Sequence, residues 1–567
     1  MRRHLTSFAI PLLSVVLLGA RLQTASQPPV RGEHGMVVSA HAIASQVGVD
    51  IMKKGGNAVD AAVAVGFALA VVEPGAGNIG GGGFLIFHEA ASGKNFTIDY
   101  RETAPKRAHR DMYLDDSGNV VPERSTVGHL SVGVPGTVAG LLLALEQHGR
   151  LVRQTVLEPA IRLAEEGFLV DANLVGSLEE SASLLSRFPE SRRIFLRNGN
   201  HFEEGEILVQ KELGATLRLI AEHGASGFYE GRVAELLAEE MARGGGLITL
   251  EDLKAYRALE REPVIGRYRD HTIVAMGPPS SGGIVLIEML NMLEPQDLAS
   301  LELNSSDYLH LLAEVMKRAY ADRAQYLGDA DFTSVPIRGL ISKTYAQSRR
   351  SGINPHRTTL ASQLGAGDPF PHEPDQTTHF SVVDREGNAV SNTYTLNGFY
   401  GSGITVTGAG FLLNNEMDDF SSKPGVPNQF QLIQGEANAI ESGKRPLSAM
   451  TPTIVLQNGR VLLVTGSPGG PRIMNTALQV ILNVIDHRLG IQEAVDAPRF
   501  HHQWLPDVLF FERHGLVRDV REALSAKGHT LAEMAHIGAA NSILVDPSSQ
   551  TRMGAGDPRR EGKAVGY

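Results

Sequence analysis

The sequence predicts a mixed α/β fold, and three patterns predict it. Apolar residues recur at three- and four-residue spacing through much of residues 135–350, period-two alternation takes over after about residue 374, and a strand runs through Gly469 and Gly470 into a helix. Of the 567 residues, 42% are hydrophobic and 20% charged, enough apolar surface for a large core. With 52 basic against 63 acidic residues the net charge is −11, which removes the electrostatic case for nucleic-acid binding. Length alone leaves the domain count open.

Taking the chain in order, Arg2 and Arg3 precede an apolar run from Phe8 to Ala20, followed by small and polar residues. That run is shorter than the roughly 20 residues a bilayer span needs, so residues 1–25 are expected to be a cleaved secretory signal and the protein to be exported, periplasmic or secreted. No cysteine occurs, which excludes disulfides, a lipoprotein anchor and thiol chemistry. Next, "GGNAVDAAVAVGFALAV" has helical spacing and leads into "GNIGGGGF", a glycine run before a strand. No Gly-Lys-Ser/Thr follows and no dinucleotide fingerprint opens a helix there, so residues 80–83 are expected to serve close backbone packing rather than a phosphate.

The middle of the chain reads as helical, with "SDYLHLLAEVMKRAYADRAQYLGD" and "GPPSSGGIVLIEMLNML" as its clearest segments. From Arg350 to Pro374 periodicity disappears and Pro, Gly and Ser accumulate, which marks a long exposed segment. Two hairpins follow: "HFSVVD" and "AVSNTYTLN" about the turn "REGN", then "TPTIVLQ" and "RVLLVTG" about Asn458-Gly459. The second hairpin continues through "SPGG" into a helix with Pro471 near its first position.

The usual catalytic signatures are missing. Ser131 and Ser281 lack the glycine two residues earlier that a nucleophile elbow requires, and no H-E-x-x-H occurs. His501 and His502 are adjacent, so on a strand their rings point to opposite sides, and "DADF" at Asp329 reads as a solvated turn rather than a calcium loop. What remains is a hydroxyl nucleophile that supplies its own base. Cutting the Gln376–Thr377 bond frees an α-amine of pKa about 7.7 to 8.0, able to take the proton of the Thr377 hydroxyl directly or through water. The strand from His379 is expected to hold Thr377 at a sheet edge, and Gly469 and Gly470 to aim backbone N–H groups at an oxyanion.

"TTHFSVVDREGNAVSNTYTLNGFYG" resembles the small-subunit signature of the γ-glutamyltranspeptidases, which are N-terminal nucleophile hydrolases. The resemblance continues in "LLNNEMDDF", "KRPLSAMTPTIV", "TGSPGGPRI", "APRFHHQWLPD" and "GDPRR", and upstream in "GNIGGGGF", "DYRETAPKRA" and "AYADRAQYLGD". It covers nearly everything after the signal. The resemblance implies a four-layer αββα sandwich, two stacked β-sheets flanked by helices, made jointly by a large subunit (26–376) and a small subunit (377–567) after self-cleavage. The two pieces are expected to stay together as a heterodimer. The reaction implied is cleavage of γ-glutamyl amides such as glutathione through a γ-glutamyl ester of Thr377, the acyl group passing to water, an amino acid or a dipeptide, with neither cofactor nor metal.

The same resemblance assigns roles by position. Thr395 supports the nucleophile, Asn397, Glu416 and Asp419 surround the donor's α-amine, and Arg101 with Ser448 holds its α-carboxylate, which agrees with the pairing of carboxylate to ammonium and guanidinium to carboxylate. Two positions depart from the family pattern: Ala449 stands where a second serine is expected, and Phe430, in the lid-like stretch "SSKPGVPNQFQLIQ", where tyrosine is expected. The alternative function is a cephalosporin or glutaryl acylase, whose acyl group lacks the α-amine. A secreted binding protein without catalysis is disfavoured by the intact Thr377, Thr395 and Gly469-Gly470 set.

Overall fold

A computed structural model of the protein describes residues 26–369 and 380–567. The expected signal peptide and the 376/377 junction, with Thr377 itself, lie outside the described residues.

Two seven-stranded sheets form the centre. Edge to edge, one runs Val30–Gly32, Arg552–Ala555, Ser542–Val545, Arg460–Thr465, Thr453–Gln457, His271–Ala275, Val264–Tyr268. The other runs Lys563–Gly566, Met36–Ser39, Phe380–Val383, Ala389–Thr395, Gly82–Glu89, Lys94–Asp99, Leu259–Arg261. Neighbouring strands within each are antiparallel.

Strand alternation explains the layering. Met36, Val38, Phe84, Ile86 and Ala389 of one sheet meet Val274, Ile454, Val464 and Ile543 of the other in a shared apolar layer. The intervening residues Val37, Leu85, Phe87 and Val390 face outward into a core built with the helices Ala42–Lys53, Ala58–Val72 and Thr137–His148. On the far side Ile273, Val455 and Leu463 pack with Gly282–Leu293, Ser306–Tyr326 and Arg472–Ile485. Period two on strands buried on both faces thus yields helix, sheet, sheet, helix, the αββα sandwich expected.

Both hairpins form where the alternation places them. Phe380 faces Asn392 and Val383 faces Ala389, while Asn458 and Gly459 both take positive φ (51° and 76°) in the turn of the second, which suits a two-residue hairpin loop. One expectation changes: the strand Phe380–Val383 is flanked by Met36–Ser39 and Ala389–Thr395, so it is an interior strand and not a sheet edge. The middle of the chain also holds strands that helical spacing hides. Leu259–Arg261 borders one sheet and Val264–Tyr268 with His271–Ala275 the other. Their residues alternate in burial, Val264, Gly266 and Tyr268 inward and Ile265 and Arg267 outward, so a local period-two signal exists but is short beside the helices around it.

Asp329 is not a solvated turn. It is buried, and its carboxylate accepts from the backbone N–H groups of Arg445 and Asp331. The segment after Arg350 has only one 3-10 turn, Ala361–Gln363, among its described residues, yet it is clamped. Glu314, buried on the helix Ser306–Tyr326, accepts from the hydroxyls of Thr358 and Thr359 at 2.7 Å each and from Arg318 at 2.8 Å. Burial pushes the Glu314 carboxyl up, but those donors and Lys317 more than offset it and hold it at about 2. A carboxylate depressed on folding stabilises above its unfolded pKa, near 4.3, and that contribution disappears as pH falls towards 2. Glu314→Gln is therefore expected to lower Tm at pH 7, with the gap to wild type closing between pH 4.5 and 2.5; a gap independent of pH in thermal melts contradicts this.

Candidate active site

The glycine run sets the backbone of the site. A Cβ on Gly81 would stand 1.9 Å from Thr395 O, and one on Gly80 2.0 Å from Leu412 O, so only glycine lets these chains pass so closely. Gly82 consequently pairs with Thr395, and Gly83 exchanges hydrogen bonds with Tyr100 at the end of the hairpin, which delivers Arg101 to the same end of the sheet. Close packing, rather than a phosphate cradle, is what the run provides.

Arg101 is fully buried there. Its Nη1 pairs with Glu416, its Nη2 with Asp419 at 2.6 Å, its Nε donates to Pro446 O at 3.2 Å, and Glu102 lies 3.7 Å away. Glu416 and Asp419 share one 3-10 turn, Glu416–Asp419. Asn414 locks that turn to the glycine run: its Nδ2 donates to Gly80 O and Gly133 O, and its Oδ1 accepts from Glu416 N. Thr395 Oγ1 accepts from Asn397 N at 2.8 Å, and Asn397, at φ +75°, donates through Nδ2 to Asn415 O at 3.1 Å.

Ser448 is pinned by the entry to a helix, its N donating to Pro279 O while its carbonyl accepts from the N and Oγ of Ser281. Gly469 and Gly470 take φ of +132° and +58°, and among the described residues neither N–H meets a protein acceptor. The ring of Phe430 covers Gly470, where a Cβ would come within 3.0 Å of it. Its loop is tied down by Asn428, which donates to Asp419 at 3.3 Å and accepts from Phe430 N.

All eight described candidates, Arg101, Thr395, Asn397, Glu416, Asp419, Ser448, Gly469 and Gly470, line a single cleft of about 170 Å³, together with Ala449 and Phe430. Three further arginines line it that the sequence reading did not single out: Arg323, Arg472 and Arg560. Arg323 is buried on the helix Ser306–Tyr326, donates through Nε to Ser281 Oγ at 2.8 Å, and is lowered by burial to about 10. Helical spacing marks it only as one more inward residue; Arg472 at least follows the glycine pair by two positions. His501 and His502 lie away from the cleft with different partners, Asn475 and Asp507, in keeping with rings on opposite sides.

Around Arg101 the direct pairing is uneven: among the described residues its guanidinium alone lies within ion-pair distance of the carboxyls of Glu102, Glu416 and Asp419, all buried, while Arg323 acts on Asp419 and Arg445 on Glu102 from farther away. Burial pushes all three carboxyls up, Glu102 to about 7 and Glu416 well above the usual range, with Arg101 acting against it. Arg101 is itself pushed down by burial, but Glu416, Asp419 and Glu102 more than offset this and keep it charged. Among the described residues no hydrogen-bond donor reaches the buried Glu416 Oε2.

Two antiparallel sheets face to face between helices, with the cleft at one end of the Ala389–Thr395 strand, define the N-terminal nucleophile hydrolase class. The family model for gamma-glutamyltranspeptidase matches residues 44–567. The chain is 50% identical over 532 residues, 94% of its length and 91% of the relative's, to the glutathione hydrolase proenzyme of Escherichia coli (strain K12). It is 39% identical over 550 residues, 96% of its length and 95% of the relative's, to the acylase ACY 1 proenzyme of Pseudomonas sp. (strain SE83). The structure of cephalosporin acylase from Bacillus halodurans superposes with a TM-score of 0.86 at 27% identity, covering 97% of this chain and 98% of that one. The chain belongs to the γ-glutamyltranspeptidase family.

Proposed function

We propose that the protein is a self-processing γ-glutamyltranspeptidase and glutathione hydrolase. The observation that carries this reading is the excess of buried carboxyls around Arg101, with Glu416 Oε2 unsatisfied. A buried acceptor without a donor calls for one, and an incoming ammonium supplies it while drawing the raised Glu416 carboxyl back towards its charged form; the family pattern assigns the donor's α-carboxylate to Arg101, beside its present partners Glu416 and Asp419, and to Ser448. A zwitterionic α-amino acid end matches the cleft, whereas a glutaryl group offers it no cation.

Cleavage at 376/377 divides the chain into a large subunit, 26–376, and a small subunit, 377–567, that remain paired as a heterodimer. Phe380, the first described residue after the proposed cut, faces Asn392, three residues before Thr395 on the neighbouring strand. There the Thr377 amine takes the hydroxyl proton as Oγ attacks the γ-carbonyl carbon. The N–H groups of Gly469 and Gly470 stabilise the oxyanion, the amine returns the proton to the leaving nitrogen, and water or an acceptor amine releases the ester. Named proenzymes among the relatives support processing, and the composition of residues 1–25 supports export to the periplasm or beyond. Among the described residues no helix is long and apolar enough to cross a membrane.

The test is kcat/KM for glutathione against that for a glutaryl amide. Glutathione is expected to win by more than about tenfold, the worth of one hydrogen bond to a charged group; a preference for the glutaryl amide establishes the acylase reading instead. Ala449, which lines the cleft beside Ser448, is the observation that favours that second reading. Ala449→Ser is expected to lower KM for glutathione several-fold, adding part of the about 1.5 to 3 kcal/mol of a charged hydrogen bond, with kcat unchanged because the carboxylate is held equally in ground and transition states. An unchanged KM in a folded, self-cleaved variant sets the Ser448 assignment aside.

A further inference from the structure

Away from the cleft, two carboxyls meet in the protein interior. Glu288 on the helix Gly282–Leu293 and Asp322 on the helix Ser306–Tyr326 are both fully buried and in hydrogen-bond contact with each other. Among the described residues no hydrogen-bond donor reaches either oxygen of Glu288. Two ionised carboxylates are acceptors only, so their contact requires a proton between them.

The surroundings supply one cation. Arg349, on the helix Lys343–Ser351, brings Nε to 3.0 Å from Asp322 Oδ2, and Tyr345 of the same helix faces both acids. Beyond Asp322 and Arg349, no charged group among the described residues acts on Glu288, whether from the strands Val264–Tyr268 and His271–Ala275 or from the helices Ile337–Leu340 and Arg472–Ile485 that pack against its own. Burial pushes Glu288 well above the usual carboxylate range, Asp322 adds to the push, and Arg349 acts against it. Asp322 is raised as well, chiefly by burial, and Tyr345 is pushed up by burial and by both acids, so it keeps its proton.

What the pair holds is the far end of the segment that follows Arg350. Asp322 Oδ1 accepts from Gly367 N at 2.7 Å, the Tyr326 hydroxyl donates to Gly367 O, and Arg349 Nη2 donates to Gly365 O at 3.1 Å. Asp368 of the segment acts on Tyr326 together with Asp322 and Arg349. A Cβ on Gly367 would stand 2.3 Å from the Tyr345 hydroxyl, so the segment lies tight against the residues around the pair. Residues 364–368 are irregular and partly exposed, whereas the other walls of the site are helices. The clamp at Thr358 and Thr359 has the opposite proton logic, because Glu314 grips them as an ion, held at about 2.

We propose that Glu288 and Asp322 share one proton and that this proton fastens residues 365–367, giving the fold a clasp that loosens as pH rises. Losing the proton sets two carboxylates against one guanidinium in a buried site, and the irregular segment is the wall that opens to relieve them. Gly367 precedes the 376/377 junction, so in a self-cleaved protein the clasp holds the end of the large subunit, and the inference stands whichever acyl donor the cleft takes. A carboxyl raised on folding contributes stability that is present below its unfolded pKa, near 4.3, and is lost as pH rises towards the folded value. Glutamine copies the protonated acid and donates to Asp322 at every pH, so Glu288→Gln keeps the clasp shut.

Hydrogen exchange, corrected for the intrinsic effect of pH, reads the clasp through peptides covering 364–369, with peptides covering 356–360 as the internal reference. In wild type, protection at 364–369 is expected to fall by about tenfold or more from about pH 6 to about pH 9, since one proton released on opening is worth up to about tenfold per pH unit, while 356–360 keep theirs. Glu288→Gln is expected to hold protection in both peptides and to gain Tm on wild type as pH rises, the reverse of Glu314→Gln. Equal pH courses for the two wild-type peptides, or a pH-dependent loss at 364–369 that survives in Glu288→Gln, overturn the proposal. Should Glu288→Gln fail to fold, the comparison of the two peptides in wild type decides alone.

Discussion

Thr377→Ala protein is expected to remain one uncut chain and to lose at least about 10³-fold in kcat with glutathione, because a single hydroxyl serves both self-cleavage and acyl transfer. Wild-type protein should instead yield a fragment beginning Thr-Thr-His and comprising the 191 residues from 377 to 567. Thr377→Ser separates the two demands, since it keeps the hydroxyl and should still cut itself. Denaturing gels and N-terminal sequencing read both outcomes. Cleavage at 376/377 in the alanine variant would show that another group breaks the bond.

Asp419→Asn should reduce kcat/KM for glutathione by roughly 10- to 100-fold, the worth of about 1.5 to 3 kcal/mol for one charged hydrogen bond. The substitution preserves shape and leaves Arg101 paired with Glu416, so the fold keeps its buried guanidinium satisfied. A glutaryl donor, which brings no ammonium, should lose no more than a fewfold. Equal losses on the two donors would move the ammonium site away from Asp419. The contrast is sharper than with alanine, which opens a cavity beside a buried ion pair and adds a packing loss to both donors.

The parts of this site that the sequence made legible are those with a local rule. A hydroxyl after a cleavable bond, a glycine pair between strand and helix, and a glycine run before a strand each imply a backbone geometry, and the described ones hold it. Gly81 passes Thr395 O too closely for any Cβ, and Gly470 needs a positive φ. Charge partners have no such rule. That Arg101 meets Glu416 and Asp419, more than 300 positions later, depends on two sheet ends and the Asn414 lock. Only the resemblance placed them together beforehand, and in the fold the three form one hydrogen-bonded cluster. The strands at 259–275 escaped because their alternation is short, and Asp329 was misjudged because its burial comes from Arg445, far along the chain.

By itself the sequence determined the mixed α/β class, the two hairpins, the strand–glycine–helix junction and the residue types of the chemistry, since these follow from side-chain period and backbone permissiveness over a few residues. The tertiary structure alone decided that Phe380–Val383 is an interior strand, that Glu102, Glu416 and Asp419 gather at Arg101, and that Arg560 lies over the Phe399 ring at the cleft while Arg559 pairs with Glu512. Those outcomes depend on which distant segments meet, and hydrophobic burial, being non-directional, brings segments together without specifying the polar partners they will find.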